Sequence, residues 1–297
     1  MHDDEIGRRH DEGLALLAAD VRDDLSRFHL LHYGDRVDGF LVSGHNSGTH
    51  WLRFMLSAAI ASRLGLPRPA YSSGPESDIY IGHARHRRRF PQAPRIGSSH
   101  HMPSRLVALL GALRILRLPP VVLLVRHIPD SLLSYFFKWR DAKGLGELDD
   151  YVARQPSAQG VDVWWFIRFF NRWGALKRIF PRQVLVVRYE DVARDPQAWV
   201  RRIWSHWGVE LDEADVDAAM TVSSHAVVRA HLDPAYGEDI APDRAARLAC
   251  RFAERDVAVL EQRLGRHLRH GFGYASAVQA APPEPTRGSA IPERLVA

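Results

Sequence analysis

The residues able to do chemistry gather in three short stretches. In the first, the apolar run Phe40-Leu41-Val42-Ser43 meets Gly44-His45-Asn46-Ser47-Gly48-Thr49-His50-Trp51. Trp51, Leu52, Met55, Leu56, Ala59 and Ile60 then recur at helical spacing. That order predicts a strand, a tight loop and a helix. Such a loop aims backbone N–H groups and hydroxyls at the positive end of the helix, where a phosphate-like anion is favoured. The second stretch, Arg95-Ile96-Gly97-Ser98-Ser99-His100-His101-Met102-Pro103, reads as a short strand running into a polar loop with two histidines. In the third, Arg126 leaves an apolar strand, and Ser134 lies one turn into a helix that opens around Pro129. Helical side chains lean toward the N-terminus, so the Ser134 hydroxyl can point back at Arg126. A guanidinium fork with a hydroxyl beside it makes a second anion site.

These stretches need a frame. Val121-Val122-Leu123-Leu124-Val125 is an unbroken, β-branched run that suits a buried parallel strand. Val184 to Val187 is another. Between them, Trp164, Ile167, Phe170 and Trp173 mark a helix over Asp162 to Phe180, closed by Pro181. Further helices are predicted from about Ser104 to Leu116, after Asp195-Pro196 to Gly208, and near 212–220 and 242–264. Strands alternating with helices predict an α/β protein, a P-loop-like three-layer fold with a mostly parallel central sheet flanked by helices. Ligands of such sheets bind at the carboxyl ends of the strands, and the three chemical stretches all leave strands at those ends. The domain reading is an N-terminal helical extension over 1–35, the α/β domain over 36–274, and a flexible C-terminal tail over 275–297 rich in Ala and Pro.

The chain of 297 residues has 46% hydrophobic residues, enough apolar material for a sizeable core. Its formal charge of +5 suits anionic ligands but names no site. Its one cysteine, Cys250, rules out an internal disulfide framework and a thiolate metal site. With an acidic N-terminus lacking an apolar signal region, this predicts a cytoplasmic protein. The most apolar window, Leu106 to Val125, is broken by Arg114, Arg117 and Pro119-Pro120, so no membrane span is expected.

With those residues in view, the chain resembles the sulfotransferases that use 3′-phosphoadenosine-5′-phosphosulfate (PAPS). The family's first loop reads close to Pro-Lys-Ser-Gly-Thr-Thr-Trp, and His45-Asn46-Ser47-Gly48-Thr49-His50-Trp51 is similar to it. Its 3′-phosphate element, Arg-x-Pro-x-Asp-x-x-x-Ser in loose form, resembles Arg126, Pro129, Asp130 and Ser134. Its Tyr-Glu-Asp element and the Asp-Pro after it resemble Tyr189-Glu190-Asp191 and Asp195-Pro196, and its Lys-Thr-His-Leu-Pro resembles Ser99 to Pro103. The resemblance implies that Asn46, Ser47, Gly48, Thr49, His50 and Trp51 surround the 5′-phosphosulfate. It implies that Arg126 and Ser134 hold the 3′-phosphate and that Tyr189 and Trp51 lie by the adenine. Ser223 matches a cofactor-contacting Ser loosely. His101 would be the general base, with His100 in its place if the register slips by one, and protonated His50 a catalytic stand-in for a missing cation.

The implied activity is transfer of the sulfuryl group of PAPS to a hydroxyl or amine of a small-molecule or glycan acceptor. Positioning and charge stabilisation carry most of such an in-line displacement, and no metal is required. Two departures stand out. Asn46 occupies the position of the family's basic loop residue, and the late Arg-Lys-Gly cofactor segment has no recognisable counterpart, with Arg229, Arg244 and Arg247 as substitutes lacking positional support. Asn46 favours a rival reading, a non-catalytic or weakly active nucleotide-binding module. A P-loop kinase would want a Lys, and residues 43–51 have none. A nucleic-acid binder is suggested by the basic run His83 to Arg89 but lacks a reading motif.

Overall fold

A computed structural model describes residues 18, 21–22, 37–71, 78–84, 89–156, 160–223, 252 and 254–274 of the chain. Nearly all of the N-terminal extension, the tail, Arg229, Arg244, Arg247 and Ser224 lie outside the described residues.

Five parallel strands form one sheet: β1 Gly39–Ser43, β2 Ile81–Gly82, β3 Ile96–Ser99, β4 Val121–Val125 and β5 Val184–Arg188, in the order β2-β3-β1-β4-β5. Every residue of β1 and β4 is buried, which explains why these central strands read as continuous apolar runs. Phe40 and Val42 join Val121, Leu123 and Val125 in one core layer; Leu41 joins Ile96, Val122 and Leu124 in the other. The first layer is closed by the helices Ile128–Lys143 and Val163–Ile179, whose Phe136, Phe166, Phe169, Phe170 and Trp173 are fully buried. The second is closed by Thr49–Arg63 and Pro196–His206. Gly97 permits this packing at one point: a Cβ there would lie 2.6 Å from the Phe40 ring.

Local rules set the helix limits. Asp162 caps Val163–Ile179 by accepting from the Trp165 N–H, and Asp195 caps Pro196–His206 by accepting from Ala198. The helix predicted to Leu116 stops at Ala112, because Arg114 turns left-handed (φ 59) and its N–H returns to Gly111. Three elements had no sequence counterpart: the two-residue strand Ile81–Gly82 and the short helices Leu148–Ala153 and Tyr189–Arg194. Of the last predicted pair, helices occupy Glu213–Ser223 and Glu254–His267.

The chain leaves β1 for β2 and β3 on one side and later returns for β4 on the other. Strand order therefore reverses around β1, and the carboxyl ends at such a switch point are where sheets of this kind bind ligands.

Candidate active site

The loop after β1 is shaped by two left-handed residues, Asn46 (φ 54) and Gly48 (φ 85). Gly48 caps the helix Thr49–Arg63, and only glycine serves there: a Cβ would stand 2.5 Å from the Tyr189 ring. Asn is among the few side-chain-bearing residues that tolerate this conformation well. From the base of the loop, Thr49 donates to the Ser43 hydroxyl at 2.8 Å.

The anion elements of the sequence converge on this loop. Asn46 Nδ2 donates to Ser134 Oγ at 3.0 Å. Arg126 donates from one terminal nitrogen to the Asn46 carbonyl at 3.4 Å, and its guanidinium lies 4.8 Å from the centre of the Tyr189 ring. Its Nε is buried and has no partner among the described residues. Asn46 thus bridges Arg126 and Ser134, which the sequence suggested would face each other directly. Trp51 meets Tyr189 edge to face at 6.1 Å and donates from its indole to the Ser223 carbonyl at 3.0 Å. The Ser223 hydroxyl turns back to Ala219. Ser47 is buried under the loop with its hydroxyl 3.5 Å from the His45 carbonyl.

Two histidines at the loop are held in opposite tautomers. His100 Nδ1 lies 3.0 Å from the Ser43 carbonyl and 3.2 Å from the Ser43 hydroxyl. A carbonyl can only accept, so Nδ1 carries the proton and Nε2 keeps a lone pair. His100 is exposed as a residue, yet its ring stacks on His45 at 4.3 Å. Burial of the ring and Arg53 push its pKa down against the Ser43 bond, so it is neutral at neutral pH. His50 Nδ1 lies 3.4 Å from a terminal nitrogen of Arg53. A guanidinium only donates, so the neutral His50 ring bears its proton on Nε2 and offers a donor. Arg53 itself is buried and paired with Asp78 at 2.6 Å. His101 is half-buried. Its N–H donates to Ser99 Oγ, and its carbonyl accepts from the Trp173 indole at 2.8 Å.

His45, in the loop itself, joins a packed group whose other members no motif marked. His45 is packed against His100, Trp165 (4.6 Å) and Tyr135 (5.7 Å). Burial first, then His100 and Lys143, hold its pKa down to about 3. Lys143 donates to the Tyr135 hydroxyl at 2.7 Å and lies over the Trp139 ring. Glu190 has a fixing role on the other side. It accepts from the His127 N–H at the start of Ile128–Lys143 and from the Tyr274 hydroxyl, which ties the Tyr-Glu-Asp element to the helix behind Arg126. Among the described residues no cluster of His, Cys, Asp and Glu suits a metal ion, and no helix is long and apolar enough to cross a membrane.

Fold and site together define a parallel α/β protein with a tight strand-to-helix loop at the sheet's switch point. Comparison with known proteins narrows that class. The sequence model of the sulfotransferase family matches residues 72–213. That segment holds the histidine pair, the Arg126 element and Tyr189-Glu190-Asp191, and it starts after the first loop. Mouse sulfotransferase SULT7A1, solved in complex with PAP, is similar over 78% of this chain and 84% of its own, with a TM-score of 0.53 and 16% identity. That likeness supports the fold. Two further structures align less well: a retinol dehydratase in complex with androsterone and PAP (TM-score 0.44, 15% identity, 78% and 80% covered) and a putative steroid sulphotransferase from Arabidopsis thaliana (0.45, 16%, 75% and 83%). No curated protein matches the chain.

Proposed function

We propose that the protein is a PAPS-dependent sulfotransferase acting on a hydroxyl or amine of a small-molecule or glycan acceptor. The observation that carries this reading is the convergence of Asn46, Arg126, Ser134 and Tyr189 on one loop, with a buried guanidinium nitrogen left unpaired beside an aromatic ring. An adenosine bisphosphate has the matching parts, a flat base and two separated anions. Arg126 and Ser134 would take the 3′-phosphate, the Ser47 to Trp51 loop the 5′ group, and Tyr189 and Trp51 the base. When bound, PAPS supplies a sulfuryl group that moves to the acceptor oxygen or nitrogen as its bond to the 5′-phosphate breaks, the electron pair leaving with the phosphate.

The chain's residues do the rest. A histidine of the 100–101 pair takes the acceptor's proton. Contacts support His100: it is neutral, and its Nε2 lone pair is kept available by the Ser43 carbonyl on Nδ1. The register of the resemblance supports His101 instead. His50, with its proton on Nε2, donates toward the charge growing on the leaving phosphate.

The test is transfer of labelled sulfate from PAPS to a panel of phenols, alcohols, amines and glycans, with His100→Ala and His101→Ala alongside. We expect transfer, and loss of it in His100→Ala with nucleotide binding retained. Loss in His101→Ala alone would move the base by one residue. No transfer to any acceptor, with bisphosphate still bound, would support the non-catalytic binding module.

A further inference from the structure

At the opposite end of the sheet the surface changes character. The large hydrophobic residues left exposed among the described ones are Leu109 (54%), Leu113 (59%) and Ile115 (68%). Leu109 lies in the last turn of the helix Arg105–Ala112, and Leu113 and Ile115 lie in the turn that follows it. The left-handed turn at Arg114 and the return of the Ile115 N–H to the Leu110 carbonyl fold the three onto one short stretch of surface. Arg105, Arg114 and Arg117 in this helix and turn are exposed, as are Arg178 at the end of the helix Val163–Ile179 and Arg182 in the loop after it. No Asp or Glu occurs between positions 79 and 129.

Next to the patch is a cavity of about 730 Å³ lined by Arg114, Arg117 and Gln183 on its polar side and by Leu116, Ile179 and Phe180 on its apolar side. The segments that line it run into Val121 of β4 and Val184 of β5. It therefore opens at the amino end of the sheet, away from the anion loop, and the proposed transfer chemistry makes no use of it.

We propose that this face docks on an anionic membrane surface. Leu109, Leu113 and Ile115 would enter the interfacial layer, and a lipid phosphate would sit between Arg114 and Arg117 in the cavity. An apolar cluster with arginines beside it has the composition of an interfacial anchor. Charge complementarity selects the lipid: an arginine-rich rim is drawn to anionic headgroups and gains little from zwitterionic ones. An exposed apolar patch on an otherwise polar surface marks an interaction site.

The test is co-sedimentation of the full chain with vesicles of phosphatidylcholine alone and of phosphatidylcholine with about a third phosphatidylglycerol. Binding to the anionic vesicles, weakened by salt and absent from the neutral ones, is expected. Leu113→Ser with Ile115→Ser should abolish it. Arg114→Glu with Arg117→Glu should weaken it at least twentyfold, taking roughly fivefold per arginine at such a surface. All four positions are on the surface, so the variants' melting temperatures should match the parent's and separate lost docking from lost folding. Equal binding to both vesicle types, or binding untouched by Ile115→Ser, would overturn the proposal. So would self-association of the parent chain abolished by Ile115→Ser, which would give the patch to a second copy.

Discussion

Arg126 is the side chain on which the proposed nucleotide site turns. One terminal nitrogen is committed to the Asn46 carbonyl and the face of the guanidinium to Tyr189, while Nε is buried without a partner among the described residues. A buried donor left unmade costs about 1–3 kcal/mol, and an anion arriving there recovers it. Arg126→Ala should therefore weaken adenosine 3′,5′-bisphosphate binding by roughly ten- to a hundredfold, the scale of one or two charge-assisted bonds. AMP, which lacks the 3′-phosphate, should lose little; calorimetric titration with both ligands checks the difference. Asn46 carries an opposite lesson. The missing cation looked like a simple deficit in the sequence, but the residue is left-handed and donates to Ser134. Asn46→Lys would restore a charge while losing that bond and straining the backbone. It should lower stability by about 1–3 kcal/mol, read in thermal melts, whatever it does to turnover.

The elements around the loop are set by close contacts that leave little tolerance. Gly48→Ala places a Cβ against Tyr189 at a φ of 85. It should cost at least about 1–3 kcal/mol and reduce bisphosphate affinity as well, since the loop and Tyr189 must separate. The joint between the loop, β3 and the helix Val163–Ile179 should be pH-sensitive. His45 is held at about 3 by burial, His100 and Lys143, against 6.5 in an unfolded chain. Below pH 6.5 the unfolded chain takes up a proton that the folded one refuses. The stability is complete above that pH and falls as pH drops toward 3, by about 2 kcal/mol at pH 5. Replacing His45 by Leu should flatten melting temperature between pH 7 and pH 5; an unchanged slope would show that the ring is not desolvated as described.

Over the whole molecule, what was legible in the sequence follows a physical division. Buried parallel strands announce themselves as apolar runs, and β1, β4 and β5 stand where those runs are. The strand Ile81–Gly82 is too short for any periodicity. Asn46, Ser134, Arg126 and Tyr189 could be gathered because each falls in a short motif that follows a recognisable strand. The His45, Trp165, Tyr135 and Lys143 group could not, since its members come from a loop and two helices and meet only through packing. The tautomers of His50 and His100 were equally hidden, because they depend on an arginine nitrogen and a backbone carbonyl that only the fold brings near. The central claim is that this assembled loop reads a nucleotide by two separated phosphates, and a thermal-shift comparison of adenosine 3′,5′-bisphosphate with AMP and ATP tests it most directly. The bisphosphate at about a hundred times its Kd should stabilise the chain by about 2.7 kcal/mol, with AMP and ATP well behind at equal concentration; equal shifts from all three, or none from the bisphosphate, would contradict it.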